Sequence, residues 1–178
     1  MKKLFVFLTG LYVLSACNSS TSVDAEKSAD TSATASVQLP YEMQYKDWKM
    51  GDPNNLKFLL DMYKNWDNNN MQPVVDAFAD TCVFDTPSGY RMTLAKPAML
   101  DSFTKWRGSN QSVSTEIVTG LSLHNMDKME DWVTIWSMNK WTDSKGKSDS
   151  SFSNDNWQLK GGKIVFLSSL EQKAIKNP

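Results

Sequence analysis

Residues 131–142, Asp-Trp-Val-Thr-Ile-Trp-Ser-Met-Asn-Lys-Trp-Thr, limit the possible folds more than any other stretch of the chain. Their alternation of branched and aromatic side chains predicts a β-strand. Trp132, Thr134, Trp136 and Met138 fall on one face; Val133, Ile135 and Trp141 fall on the other, with Ser137 and Asn139 between them. A strand with one solvated face is polar on that side. This strand carries large apolar groups on both, so it needs two covers. One is a layer of helices. The other is a curled sheet edge or a partner subunit.

The flanking sequence supplies the helices and the rest of the sheet. Asp52-Pro53 is a helix start, a capping side chain before Pro at the first helical position. Leu56, Leu59, Leu60, Tyr63 and Trp66 then follow helical spacing as far as Asn68. A second helix is predicted over about Pro73 to Asp80, and a third from near Pro97 to Gly108. Cys82–Phe84 and Tyr90–Met92 read as short strands around the turn Asp85-Thr86-Pro87-Ser88-Gly89. Residues 112–123 and the segment ending in Asn156-Trp157-Gln158-Leu159 are further strands. Lys160-Gly161-Gly162-Lys163 is a hairpin turn into Ile164–Leu167. Helices before strands joined by Gly-containing turns give an α+β class with an antiparallel meander.

The first forty residues read differently. Lys2 and Lys3 precede an apolar run from Leu4 to Leu14, then Ser15-Ala16-Cys17. This is the pattern of a secretory signal, too short to span a bilayer. Leu14-Ser15-Ala16-Cys17 resembles the lipobox of bacterial lipoproteins. That resemblance implies removal of residues 1–16, a lipid on Cys17 and a membrane-anchored protein of the bacterial cell envelope. Residues 18–39 hold 13 Ser, Thr or Ala out of 22 and no aromatic residue, so 17–40 are expected to be a tether and 41–178 the folded domain.

Composition removes several functions. The 19 Lys and Arg against 20 Asp and Glu give no electrostatic reason to bind nucleic acid. With Cys17 acylated, Cys82 has no partner and reads as a small buried thiol. His124 is the only His, so a multi-histidine metal site is impossible and any imidazole base must be this residue. No GxxxxGK[ST] phosphate loop is present, and no cofactor is expected.

The ordered set of elements resembles the nuclear transport factor 2-like superfamily, in particular its SnoaL-like and ketosteroid-isomerase-like members. Val75-Asp76-Ala77-Phe78-Ala79-Asp80 followed by Cys82-Val83-Phe84-Asp85 carries the likeness. Pro87-Ser88-Gly89, Phe103-Thr104-Lys105-Trp106, Asp131–Trp136, Asp155–Leu159 and Gly162-Lys163-Ile164 continue it. The resemblance implies a cone-shaped roll: a strongly curved antiparallel sheet wrapped over about three N-terminal helices, with an apolar pocket at the wide end and homodimers through the outer sheet face. It also implies roles for three residues. Asp85 matches a proton-shuttling base, although Thr86 separates it from Pro87, and it is equally an ordinary turn residue. Asp155, two positions before Trp157, matches an oxyanion-holding carboxylic acid, and is equally a pocket-lining or structural group. Tyr63 falls near an oxyanion-binding Tyr, and is equally a core aromatic.

From the residues themselves, Trp66, Phe103, Trp132, Trp136 and Trp157 are expected either to line a cavity for a flat apolar ligand or to fill the cone. The function expected is binding of a small apolar or amphipathic molecule without chemistry. The alternatives are a protein-interaction module and a proton-transfer enzyme using Asp85 and Asp155.

Overall fold

Asp52 opens the first long helix as the sequence predicts: its carboxylate accepts the Asn54 backbone N–H at 2.8 Å, and Pro53 takes the first helical position. The computed structural model describes residues 39–174. The proposed signal peptide, Cys17 and the tether up to residue 38 lie outside the described residues. In chain order the elements are β1 (Trp48–Met50), α1 (Pro53–Asp67), α2 (Met71–Asp76), β2 (Phe78–Asp85), β3 (Arg91–Ala95), α3 (Lys96–Gly108), β4 (Asn110–Asn125), β5 (Glu130–Asp143), β6 (Ser148–Lys160) and β7 (Lys163–Lys173). The described strands form one sheet in the order β1-β4-β5-β6-β7-β2-β3. All neighbours are antiparallel except β2 and β7. The fold is α+β, a curved sheet over three helices.

Three elements differ from the sequence expectation. The second helix stops at Asp76, and Phe78–Asp80 already belong to β2. The cause is tertiary: Phe78 stands in parallel register with Ile164, whose N–H donates to the Ala77 carbonyl at 3.0 Å. Strand pairing overrides the weak preference of a six-residue helix. β7 runs on past Leu167 to Lys173, because Leu167 to Lys173 pair with β6 from Trp157 back to Ser151. The short β1 pairs with the end of β4 and was not expected.

Register breaks between Ile117 and Thr119 on β4, and between Gln158 and Leu159 where β6 meets β7. Extra residues of this kind bend a strand and increase its twist, which curves the sheet. At the β6–β7 turn Gly161 and Gly162 have φ of 57° and 72°, the left-handed conformations a tight hairpin needs.

The inner face of β5 is the one carrying Val133 and Ile135, both 0% exposed. α1 lies close over them. A Cβ added at Gly120 of β4 would stand 2.8 Å from Leu56 Cδ1 and 3.4 Å from Ile135 Cγ1. At that level only glycine and branched aliphatic residues fit beneath the helix.

The far end of α1 is clamped. Arg107 of α3 is 6% exposed and has no carboxylate partner among the described residues. Its guanidinium donates to the carbonyls of Trp66 (3.2 Å), Asp67 (3.0 Å) and Asn110 (3.2 Å). A cation at a helix C-terminus meets the negative end of the dipole and satisfies carbonyls left free there. The Asp67 side chain accepts from Thr115 N–H at 3.0 Å and Thr115 Oγ1–H at 2.8 Å, fixing the same helix end to β4. Arg107→Met should cost about 2–4 kcal/mol, since three part-buried carbonyls lose charged donors. Arg107→Lys should recover less than half of it, because one ammonium does not reproduce the planar fork. Urea unfolding reads both; a midpoint unchanged in Arg107→Met would exclude the clamp.

Candidate functional site

Farther along the inner face the side chains become short. Ser137 and Asn139 follow Ile135 on β5, and Ser151, Ser153 and Asp155 precede Trp157 on β6, all pointing to the interior by strand alternation. Ser137, Ser151, Ser153 and Asp155 are all buried. Where these short groups replace core aliphatics, a cavity of about 550 Å³ opens.

Its helix-side wall is aromatic. Trp66 of α1 stacks on Trp106 of α3 (centroids 5.2 Å apart, planes at 25°) and meets Phe103 edge-on at 5.7 Å. Phe78 and Phe84 of β2 extend this wall. Its sheet-side wall is polar, with Asn139, Ser151, Ser153 and Asp155 joined by Ser169 and the exposed Glu171 of β7. Trp141 of β5 also faces the space.

Between the two walls lies a buried pair. The Tyr63 hydroxyl donates to Asp155 Oδ2 at 2.5 Å, and the Ser169 hydroxyl donates to Asp155 Oδ1 at 2.5 Å. Burial pushes the Asp155 carboxyl above its ordinary range. The two hydroxyls oppose that rise, and the nearby Glu171 charge adds to it. Burial also raises the Tyr63 phenol well above its ordinary value, reinforced by Asp155, so Tyr63 stays a donor. The Trp157 ring meets Tyr63 edge-on at 5.9 Å. Its indole N–H pulls the phenol slightly the other way, without a hydrogen bond of good geometry. Ser153 is satisfied by Ser137 (3.0 Å) and Asn139 (2.8 Å). Ser151 Oγ and Trp157 Nε1 are buried without a partner.

Of the residues singled out from sequence, Tyr63, Trp66, Phe103, Asp155 and Trp157 line this cavity together. Three do not. Asp85 is on the side of β2 opposite the buried Cys82 and Phe84. Arg91 holds it across the β2–β3 pair through Nε (2.6 Å) and Nη2 (2.7 Å), and keeps its carboxyl below the ordinary range. Trp132 and Trp136 stand on the outer sheet face, where Trp132 packs edge-on against Phe166 at 5.9 Å. The physical reason is the close approach of α1, which leaves no room for indoles beside Val133 and Ile135. His124 also lies away from the cavity, its Nδ1 2.7 Å from Asp131 Oδ1. Cys82 is a buried free thiol whose pKa burial pushes up to about 12, which leaves it un-ionised near neutrality.

Sequence reasoning missed Trp106, Trp141, Ser151, Ser169 and Glu171. Counting back by twos from Asp155 finds Ser151. Ser169 and Glu171 require the β6–β7 register, which pairs them with Asp155 and Ser153.

A curved sheet closed at one end by helix and hollow at the other defines a cone-shaped roll with an interior cavity. That is the fold of the nuclear transport factor 2-like superfamily, to which SnoaL-like and ketosteroid-isomerase-like proteins belong. Three solved structures share this fold. An epoxide hydrolase of the LEH-like type from M. tuberculosis superposes with a TM-score of 0.55 at 10% identity, over 67% of this chain and 84% of that one. A ketosteroid-isomerase-type protein from Kribbella flavida DSM 17836 gives 0.54 at 8% identity, over 72% and 85%. A SnoaL-like protein from Shewanella putrefaciens CN-32 gives 0.55 at 8% identity, over 67% and 80%. Such low identity carries the fold and nothing of the activity. No family model matches the sequence, and no curated protein matches it.

The pH dependence of stability tests the buried carboxyl. A group whose folded-state pKa is raised holds its proton more tightly when folded. Its contribution is complete at low pH and falls as pH rises from the ordinary 3.8 through the folded value. Asp85 and Asp127, both lowered, act in the opposite sense, so a difference is needed. The unfolding free energy of the parent minus that of Asp155→Asn should therefore decline as pH is raised, by at most about 1.4 kcal/mol per pH unit. A flat difference in urea titrations across this range would remove the raised carboxyl.

Proposed function

We propose that this protein binds a small apolar or amphipathic molecule inside the cone. The observation that carries the reading is the cavity of about 550 Å³, with an aromatic wall facing a polar one. Its size suits a drug-sized molecule, and most ligand sites combine apolar walls with a few placed polar groups. Nile red, a neutral hydrophobic dye, should bind saturably to the purified protein. Trp66→Ala and the cavity-filling Ser151→Trp should each weaken it about tenfold, and Trp136→Ala, on the outer face, should leave it unchanged. Equal weakening by all three, or no saturable binding, defeats the reading.

A second reading is proton transfer of the isomerase or cyclase type. The buried Tyr63–Asp155 pair favours it, as a hydrogen-bonding group for a developing oxyanion. Its base would have to be a group other than Asp85. Deuterium exchange beside the carbonyl of a bound ketone, lost in Asp155→Asn, would move the conclusion to this reading.

The same domain is proposed to be held at a membrane of the bacterial envelope by a lipid on Cys17, and to pair with a second copy through the outer sheet face. The lipobox-like sequence supports the anchor. The outer face supports the pairing: Trp132, Trp136, Met138 and Phe166 are half-exposed there, and Leu170 is 63% exposed. Cys17→Ala should move the protein from the membrane to the soluble fraction. In sedimentation that soluble form should run as a dimer, and adding Leu170→Glu should reduce it to a monomer. Continued membrane fractionation removes the anchor; a monomer without Leu170→Glu removes the pairing.

A further inference from the structure

The acidic groups of Asp155 and Glu171 line the cone, and no Lys, Arg or His does so among the described residues. Lys173, the next register position along β7, stands opposite Ser151 and is not part of the wall. The two carboxylates share one sheet face. Asp155 pairs with Ser169 and Ser153 pairs with Glu171, so they are diagonal neighbours, about 7–8 Å apart by sheet geometry. The Glu171 charge is felt at Asp155, where it disfavours ionisation.

Across the cavity lie the indoles of Trp66 and Trp106. Aromatic faces attract cations through the ring quadrupole, Trp most strongly, and cages of such rings hold quaternary ammonium groups.

Building on the ligand-binding reading above, we infer that the cone selects an organic cation: an apolar body bearing a tertiary or quaternary ammonium group. The ammonium is held by the Asp155–Glu171 wall and faced by the indoles. An anionic ligand of the same shape is repelled by the same wall.

Three benzoate esters of matched shape test this. Benzoylcholine carries the trimethylammonium group, 3,3-dimethylbutyl benzoate replaces its nitrogen by carbon, and 2-(benzoyloxy)ethanesulfonate is anionic. Each is titrated into the purified full-length chain, with binding read by tryptophan fluorescence and calorimetry. Benzoylcholine should bind about tenfold tighter than the neutral isostere, the gain expected of cation–π and carboxylate contacts combined, with the sulfonate weakest. Glu171→Gln should narrow the preference to about threefold, and Glu171→Asp should retain more of it. A neutral ester that binds as tightly as benzoylcholine overturns the cation inference and leaves the ligand-binding reading standing. The cation inference is likewise overturned, and ligand binding retained, if Nile red binds and none of the esters does. If neither dye nor ester binds, both fall.

Discussion

Side-chain volume along the inner face of β5, β6 and β7 determines everything else in this molecule. Toward one end those strands present Val133, Ile135, Leu159 and Ile164, and α1 packs down so closely that a Cβ at Gly120 would press on Leu56. Toward the other end the same strands present Ser137, Ser151, Ser153 and Ser169. Helix α1 does not follow the shrinking side chains inward. Arg107 and Asp67 fix its end to α3 and β4. A rigid helix over a tapering set of side chains leaves a space at the tapered end. Close-packed interiors rarely tolerate such a volume, because its lining loses dispersion contacts. A protein that keeps one retains it against a stability cost.

Much of this is legible in the sequence, and the illegible part has a specific cause. Asp52-Pro53 and the spacing from Leu56 to Trp66 define α1 locally, since caps and helical periodicity are short-range signals. The alternation in 131–142 correctly sorts its residues into two sets. Alternation cannot say which set faces inward. The indoles of Trp132 and Trp136 suggest a pocket, yet the inward set is the one small enough to pass beneath α1. Hydrophobicity ranks the indoles as core; steric fit excludes them. Asp85 fails for a related reason. Its partner Arg91 lies six residues away across a hairpin, and only the register of that hairpin reveals the ion pair. The early end of α2 depends on Ile164, a contact between residues far apart in the chain.

The polar groups in the cavity divide into two kinds, and the division bears on chemistry. Asp155 has both oxygens engaged, one by Tyr63 and one by Ser169, and Ser153 has both Ser137 and Asn139. These groups are pre-organised, with little freedom to reorient toward a guest. Ser151 and Trp157 are equally buried but unengaged. A site built for proton transfer would leave its carboxyl free to meet the substrate at the reacting atom. Here the buried Asp155 carboxyl is tied to the protein. Tyr63 and Ser169 thereby hold the Asp155 carboxyl in one place within a low-dielectric wall.

The outer surface follows from the same arithmetic. Strand residues alternate strictly between faces, so putting Val133, Ile135, Ser137 and Asn139 inside forces Trp132, Trp136 and Met138 outside. The interior could not be hollowed by small residues while the indoles sat inward, and the indoles could not be moved outward without presenting an apolar belt. The β4 and β7 neighbours extend that belt with Leu121 and Leu170, which leaves a broad greasy sheet face. A slip of one residue in the β5 register would exchange the two surfaces at once, driving indoles against α1 and exposing the branched core. Cavity and outer face are therefore two consequences of a single register, and selection on either one constrains the other.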